Sequence, residues 1–164
     1  MKLTVEGRSG FLWGFFACVG GLAFAYYLQY FQGLEPCPLC ILQRVSMAGA
    51  GVFFLNAAFI NAQGWKRWLT ALFPFAVSLS GVGIAARHVW LQGLPPDQVP
   101  ACGPPLDYLL DMMPVTEAVA FLLRGEGSCA VIDASFLGLT LPGWTLLVFV
   151  GLSIWAVLCA MASD

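Results

Sequence analysis

Six cysteines occur in this 164-residue chain, in three settings. Cys37 and Cys40 form a C-x-x-C within Glu35-Pro36-Cys37-Pro38-Leu39-Cys40; Cys102 and Cys129 stand far apart in a Pro-rich stretch; Cys18 and Cys159 lie inside long apolar runs. A C-x-x-C can be a structural bridge, part of a metal site or a reversible redox pair. Zinc generally takes four ligands, often as two close pairs. With one close pair and a single histidine in the chain, no metal site is expected. Cys18 and Cys159 read as small buried hydrophobes.

The residues after the pair favour redox chemistry. In Cys40-Ile41-Leu42-Gln43-Arg44, a helix beginning here puts Cys40 and Arg44 four apart on one face. A guanidinium and the positive end of a helix dipole both favour a reactive thiolate. A charge at the edge of a hydrocarbon region is costly without a role, although Arg44 snorkelling to the headgroups is the plain alternative. Arg87 and His88 close a later apolar run and can approach the same boundary. If joined, Cys102 and Cys129 close a 28-residue loop, worth about 3–4 kcal/mol of loop entropy. The surroundings of Cys102, Gln98-Val99-Pro100-Ala101-Cys102-Gly103-Pro104-Pro105, read as exposed and irregular. An exposed disulfide is open to attack by an external thiolate.

The elements that position these residues are membrane spans. The chain is 60% hydrophobic and 10% charged, with a mean hydropathy of +0.83, where soluble domains carry about a quarter charged residues. Disorder is excluded, and with seven basic against nine acidic residues so is a basic nucleic-acid binder. Charges leave four long uncharged stretches, Ser9–Leu34, Val45–Trp65, Trp68–Ala86 and Ala134–Ser163. Each is long enough for one helical span of about 20 residues. The expected spans are 11–31, 43–62, 69–90 and 142–161, with outer loops at about 32–42 and 91–141. The fold class is therefore an all-α membrane protein, a four-transmembrane-helix bundle forming one integral membrane domain over 1–164.

Lys2 and Arg8 precede the first span, and Lys66 and Arg67 lie between the second and third. Basic residues favour the cytoplasmic side, so the N-terminus is expected there. The even number of spans brings the C-terminus to the same side, and Cys37, Cys40, Cys102 and Cys129 face the non-cytoplasmic side, in a bacterial envelope the periplasm. That compartment permits disulfides. The alternative of a cleaved signal peptide ending near Ala23-Phe24-Ala25 fits less well, because the apolar run continues to Phe31. Gly49, Gly51, Gly81 and Gly83 are expected to let helices approach closely. In the long second loop, Leu106, Leu109, Leu110 and Met113, then Val115, Ala118, Val119 and Leu122, recur at helical spacing. These short amphipathic segments suit either the membrane surface or packing on the bundle.

Glu35-Pro36-Cys37-Pro38-Leu39-Cys40-Ile41-Leu42-Gln43-Arg44 resembles the first outer loop of the bacterial disulfide bond formation protein B (DsbB) family. Cys102, Cys129, Phe136-Leu137-Gly138-Leu139 and Pro142-Gly143-Trp144 resemble its second loop and the entry to its last span, over essentially the whole chain. Ala134 departs from the Trp that many relatives carry there. The resemblance implies an inner-membrane thiol:quinone oxidoreductase that reoxidises a DsbA-like periplasmic thioredoxin-fold oxidase. Two electrons would pass to ubiquinone or menaquinone. It further implies that Cys102 accepts the partner's thiolate and that the released Cys129 can pair with Cys37. Cys40 is then left as a thiolate in charge-transfer contact with the quinone, with Arg44 steadying both and His88 near the same ring.

Two rivals stand beside this reading. The vitamin K epoxide reductase family also pairs a C-x-x-C with a quinone, but late in its bundle, whereas here the motif opens the second span. A structural four-span protein, its outer disulfides stapling a recognition loop, would not need Arg44 beside Cys40.

Overall fold

The computed structural model describes residues 7–95, 97–101, 103, 108, 111–125, 127–132 and 135–162. Four long helices dominate: α1 (Gly7–Gln32), α2 (Pro38–Ile60), α3 (Trp65–Gln92) and, last in the chain, α6 (Leu141–Met161). All four are long and apolar enough to cross a membrane. Between α3 and α6 lie the short helices α4 (Val115–Arg124) and α5 (Gly127–Ala130), then a hairpin of β1 (Ser135–Phe136) and β2 (Leu139–Thr140).

The helices start earlier than the charge gaps suggest. α2 begins at Pro38 rather than near residue 43, so the first loop is only 33–37. Proline has no N–H to leave unpaired in a first turn, and it pushes the preceding residue out of helical geometry. Cys37 is accordingly the extended N-cap (φ −67, ψ 164) and Cys40 lies in the first turn. α3 begins at Trp65, which carries Lys66 and Arg67 out of the expected turn and into the helix. Arg67 is only 3% exposed. Its Nη1 donates to the Ala162 carbonyl at the end of α6, where a cation favours the helix dipole. Trp65 and Trp68 beside this turn, and Tyr26, Tyr27, Tyr30 and Trp90 toward the other end, are exposed, as interfacial aromatics should be.

α1 packs on α2, α2 on α3, and α3 on α6, whereas α1 and α6 meet only loosely. Small residues set these approaches. A Cβ on Gly81 of α3 would lie 2.4 Å from the ring of Phe149 on α6. Gly49 and Gly51 also face neighbours closely, whereas Gly83 meets nothing within 4 Å and makes no such contact. The core gathers Phe11, Phe54 and Phe149 around small residues such as Ala50, Ala85 and Ala156, with Cys18 and Cys159 buried among them. At the end bearing both described termini, Trp155 Nε1 donates to the Gly10 carbonyl at 2.8 Å and closes the α1–α6 seam.

Over the other end, α4 lays Ala118 and Leu122 against Leu42 of α2, so this segment packs on the bundle. Of the segment before it, Leu106, Leu109 and Leu110 lie outside the described residues, as does Cys102. The hairpin was not expected. Leu137 (φ 52) and Gly138 (φ 80) form its two-residue turn, the double positive-φ geometry that matches strand twist.

Candidate functional site

The first loop and the start of α2 place two sulfurs at the top of the bundle. Cys37 Sγ donates to Cys40 Sγ at 3.2 Å. His88, one turn before the end of α3, is 2% exposed and turns its ring toward both. Its Nε2 lies 3.6 Å from Cys37 Sγ and its Nδ1 4.0 Å from Cys40 Sγ.

The second loop supplies a third sulfur. Gly125 adopts φ +77, and a Cβ there would lie 2.2 Å from Leu91 of α3. Glycine therefore lets the chain fold tightly over the end of α3. This seats α5, with Cys129 fully buried against Leu39 and Leu91. The ligating atoms of Cys37, His88 and Cys129 all lie within 4.8 Å of one another. Such a cluster of two thiols and an imidazole suits sulfur exchange. Ala101, the neighbour of Cys102, is exposed, and its carbonyl accepts from Gly127 N at 3.4 Å. Ala101 is thereby tied to the helix that carries Cys129.

On the opposite side of Cys40, the loose α1–α6 seam opens into a cavity of about 410 Å³. Its walls are mostly apolar, with Phe24 and Leu28 from α1 and Val148 from α6, and its polar lining residues are Glu35, Cys40, Gln43, Arg44 and Thr145. Arg44 does not simply reach for solvent. It is half-buried, donates to Gln29 Oε1 and to the Ala25 carbonyl (3.2 Å), and lies 5.1 Å over the Tyr26 ring. These α1 partners hold the guanidinium at the cavity wall it shares with Cys40. The hairpin closes the upper rim. Phe136 and Trp144 both line the cavity, and Trp144 Nε1 donates to the Phe136 carbonyl at 3.0 Å.

Residues 7–159 match the family of disulfide bond formation protein DsbB. The chain belongs to this family. It is 52% identical over 154 residues to disulfide bond formation protein B of Nitrosococcus oceani, covering 94% of this chain and 90% of that protein. The corresponding protein of Hahella chejuensis is 43% identical over 157 residues, covering 95% of each. This is a multi-pass membrane protein with four spans.

Of the two residues that resemblance to the DsbB family puts at the quinone, Arg44 lines the cavity and His88 does not. His88 sits on the sulfur side, with Gln43 between it and the cavity. Two polar residues not singled out from sequence join the site. Gln43 Nε2 lies 3.2 Å from His88 Nδ1, and Thr145 of α6 donates to Gln43 Oε1 at 2.8 Å. Gln43 falls three residues after Cys40, on the same helix face, which is the one sequence signal that pointed to it.

Proposed function

We propose that this protein reoxidises a DsbA-like periplasmic thioredoxin-fold oxidase and passes two electrons to a membrane quinone, ubiquinone or menaquinone. It does so as a single integral domain of the bacterial inner membrane, with both termini cytoplasmic and the redox cysteines periplasmic. The observation that carries this reading is the setting of Cys40. Its sulfur lies 3.2 Å from that of Cys37, which in turn clusters with Cys129, and Cys40 also lines a mostly apolar cavity together with Arg44.

The steps follow from thiol–disulfide exchange. The partner's thiolate attacks Cys102 of a Cys102–Cys129 disulfide and releases Cys129. A second partner thiolate completes the partner's disulfide and leaves Cys102 and Cys129 reduced. These two are reoxidised by the Cys37–Cys40 disulfide, through a bond between Cys129 and Cys37 that frees Cys40 as a thiolate. Quinone supplies the acceptor for two electrons and two protons when Cys37 and Cys40 are rejoined. Arg44 stabilises negative charge on Cys40 and on a bound oxygen, the task at which a preorganised cation is most effective. An apolar pocket with a few convergent polar groups suits a lipid-soluble ring.

The test is a coupled assay with the purified protein and a reduced thioredoxin-fold dithiol oxidase. One mole of ubiquinone-1 should be reduced per mole of partner disulfide formed. Partner oxidation at the same rate without quinone or any other electron acceptor contradicts the reading.

A further inference from the structure

A chain of polar side chains runs from the cavity to the sulfurs, and the relay above does not use it. Thr145 Oγ1 donates to Gln43 Oε1 at 2.8 Å, Gln43 Nε2 lies 3.2 Å from His88 Nδ1, and His88 Nε2 lies 3.6 Å from Cys37 Sγ. Gln43 is 5% exposed and His88 is buried with it. Burying a carboxamide and an imidazole between helices is costly unless each is hydrogen-bonded. Here each is, and the pair is aimed at a thiol.

We propose that Gln43 is a positioning residue that holds the His88 ring with Nε2 toward Cys37, so that His88 takes the Cys37 proton as the Cys37–Cys40 disulfide forms. This rests on the reading that quinone drives that step. The S–S bond forms as Cys37 S–H is broken and Cys40 enters as the thiolate freed in the exchange. Two electrons go to quinone; the Cys37 proton passes first to the unprotonated His88 Nε2 and, together with one proton from water, completes the hydroquinone.

The hydrogen bonds accommodate both states of the ring. A carboxamide has an acceptor and a donor and can present either to Nδ1. With Gln43 Nε2 donating to an unprotonated Nδ1, the ring proton sits on Nε2. The tautomer that can accept from Cys37 carries it on Nδ1, and there the carboxamide is turned over, Oε1 accepting from Nδ1–H and NH₂ donating to Thr145. With both ring nitrogens protonated, Gln43 Oε1 still accepts from Nδ1 and its NH₂ still faces Thr145. The Thr145 hydroxyl then has a second acceptor, the Pro142 carbonyl, at 2.9 Å. The sulfurs of Cys37, Cys40 and Cys129 face the ring, while Arg87 on the same helix stacks on Trp90 at 4.3 Å.

The experiment compares Gln43→Met and Gln43→Glu in the full chain. It reads the single-turnover rate at which ubiquinone-1 forms the Cys37–Cys40 disulfide in the reduced protein. Gln43→Met removes the hydrogen bond but keeps the shape, and should slow this step about tenfold or more, a part of the roughly 10²–10⁴-fold that a well-placed general base contributes. Gln43→Glu keeps an acceptor for Nδ1–H and should stay within a few-fold of wild type. A merely structural role gives the opposite order, since the near-isosteric Met is then harmless and a buried carboxylate is not. Met at the wild-type rate, or Glu as slow as Met, overturns the proposal. Should Gln43→Glu not fold, the double variant Gln43→Met with His88→Phe decides: residues acting through one proton acceptor give a double no slower than His88→Phe alone, and additive slowing overturns the proposal. If wild type forms no Cys37–Cys40 disulfide with quinone, the functional reading fails as well; if it does and Gln43→Met is unaffected, only this inference fails.

Discussion

Cys129 of the second loop lies with its sulfur within 4.8 Å of Cys37 Sγ in the first. Two segments remote in sequence meet there because α5 folds over the end of α3 and buries Cys129 against Leu39 and Leu91. In a variant carrying Cys40→Ser and Cys102→Ser, mild oxidation should therefore join Cys37 to Cys129. Peptide mapping without reductant checks this. A sample in which both stay as thiols, or pair between molecules, counts against exchange between the loops.

In the proposed relay electrons enter at Cys102. Cys102→Ser should abolish reaction with the reduced partner while the Cys37–Cys40 pair still reduces ubiquinone-1 when supplied with a small dithiol. Normal turnover of the partner by this variant would move the entry point elsewhere.

Arg44 is held by Gln29 and the Ala25 carbonyl at the cavity wall. Arg44→Met should raise the apparent KM for quinone roughly ten- to a hundredfold, the loss of one charge-assisted hydrogen bond of about 1.5–3 kcal/mol, and weaken quinone use more than thermal stability. Unchanged quinone dependence would reduce Arg44 to an anchor between α1 and α2.

Packing between α3 and α6 is testable apart from chemistry. Gly81→Ala and Gly83→Ala gain the same helix propensity, yet only the first drives a Cβ into Phe149. Gly81→Ala should be the less stable by about 1–3 kcal/mol, as for an overpacked core, in detergent melts of the two proteins. Equal melting temperatures would mean that the interface yields freely.

Much of this architecture was legible from charge. Gaps between ionised residues marked four spans because lipid excludes charge, and α6 begins within one residue of its expected start. The start of α2 was misplaced because Arg44 served as the boundary marker, although Pro38 carried the better signal. Leu137-Gly138 between Phe136 and Leu139 was a readable two-residue turn, but so short a hairpin has no periodicity to announce it. The pair Cys40 and Arg44 followed from helical spacing, whereas the Gln43–His88 contact depends on how α2 and α3 are rotated. Nothing local encodes that rotation. The cavity was equally hidden, since it exists where α1 and α6 fail to close, which is a property of the whole ring of helices.

The central claim is that electrons leave from Cys40 into the cavity it shares with Arg44, and absorbance reports it most directly. Cys37→Ser removes the resolving thiol, so a thiolate on Cys40 in contact with a quinone persists. Adding ubiquinone-1 to this variant should produce a long-wavelength charge-transfer band that disappears when Cys40→Ser is added and weakens with Arg44→Met. No band in the Cys37→Ser protein, or the same band without Cys40, contradicts the account.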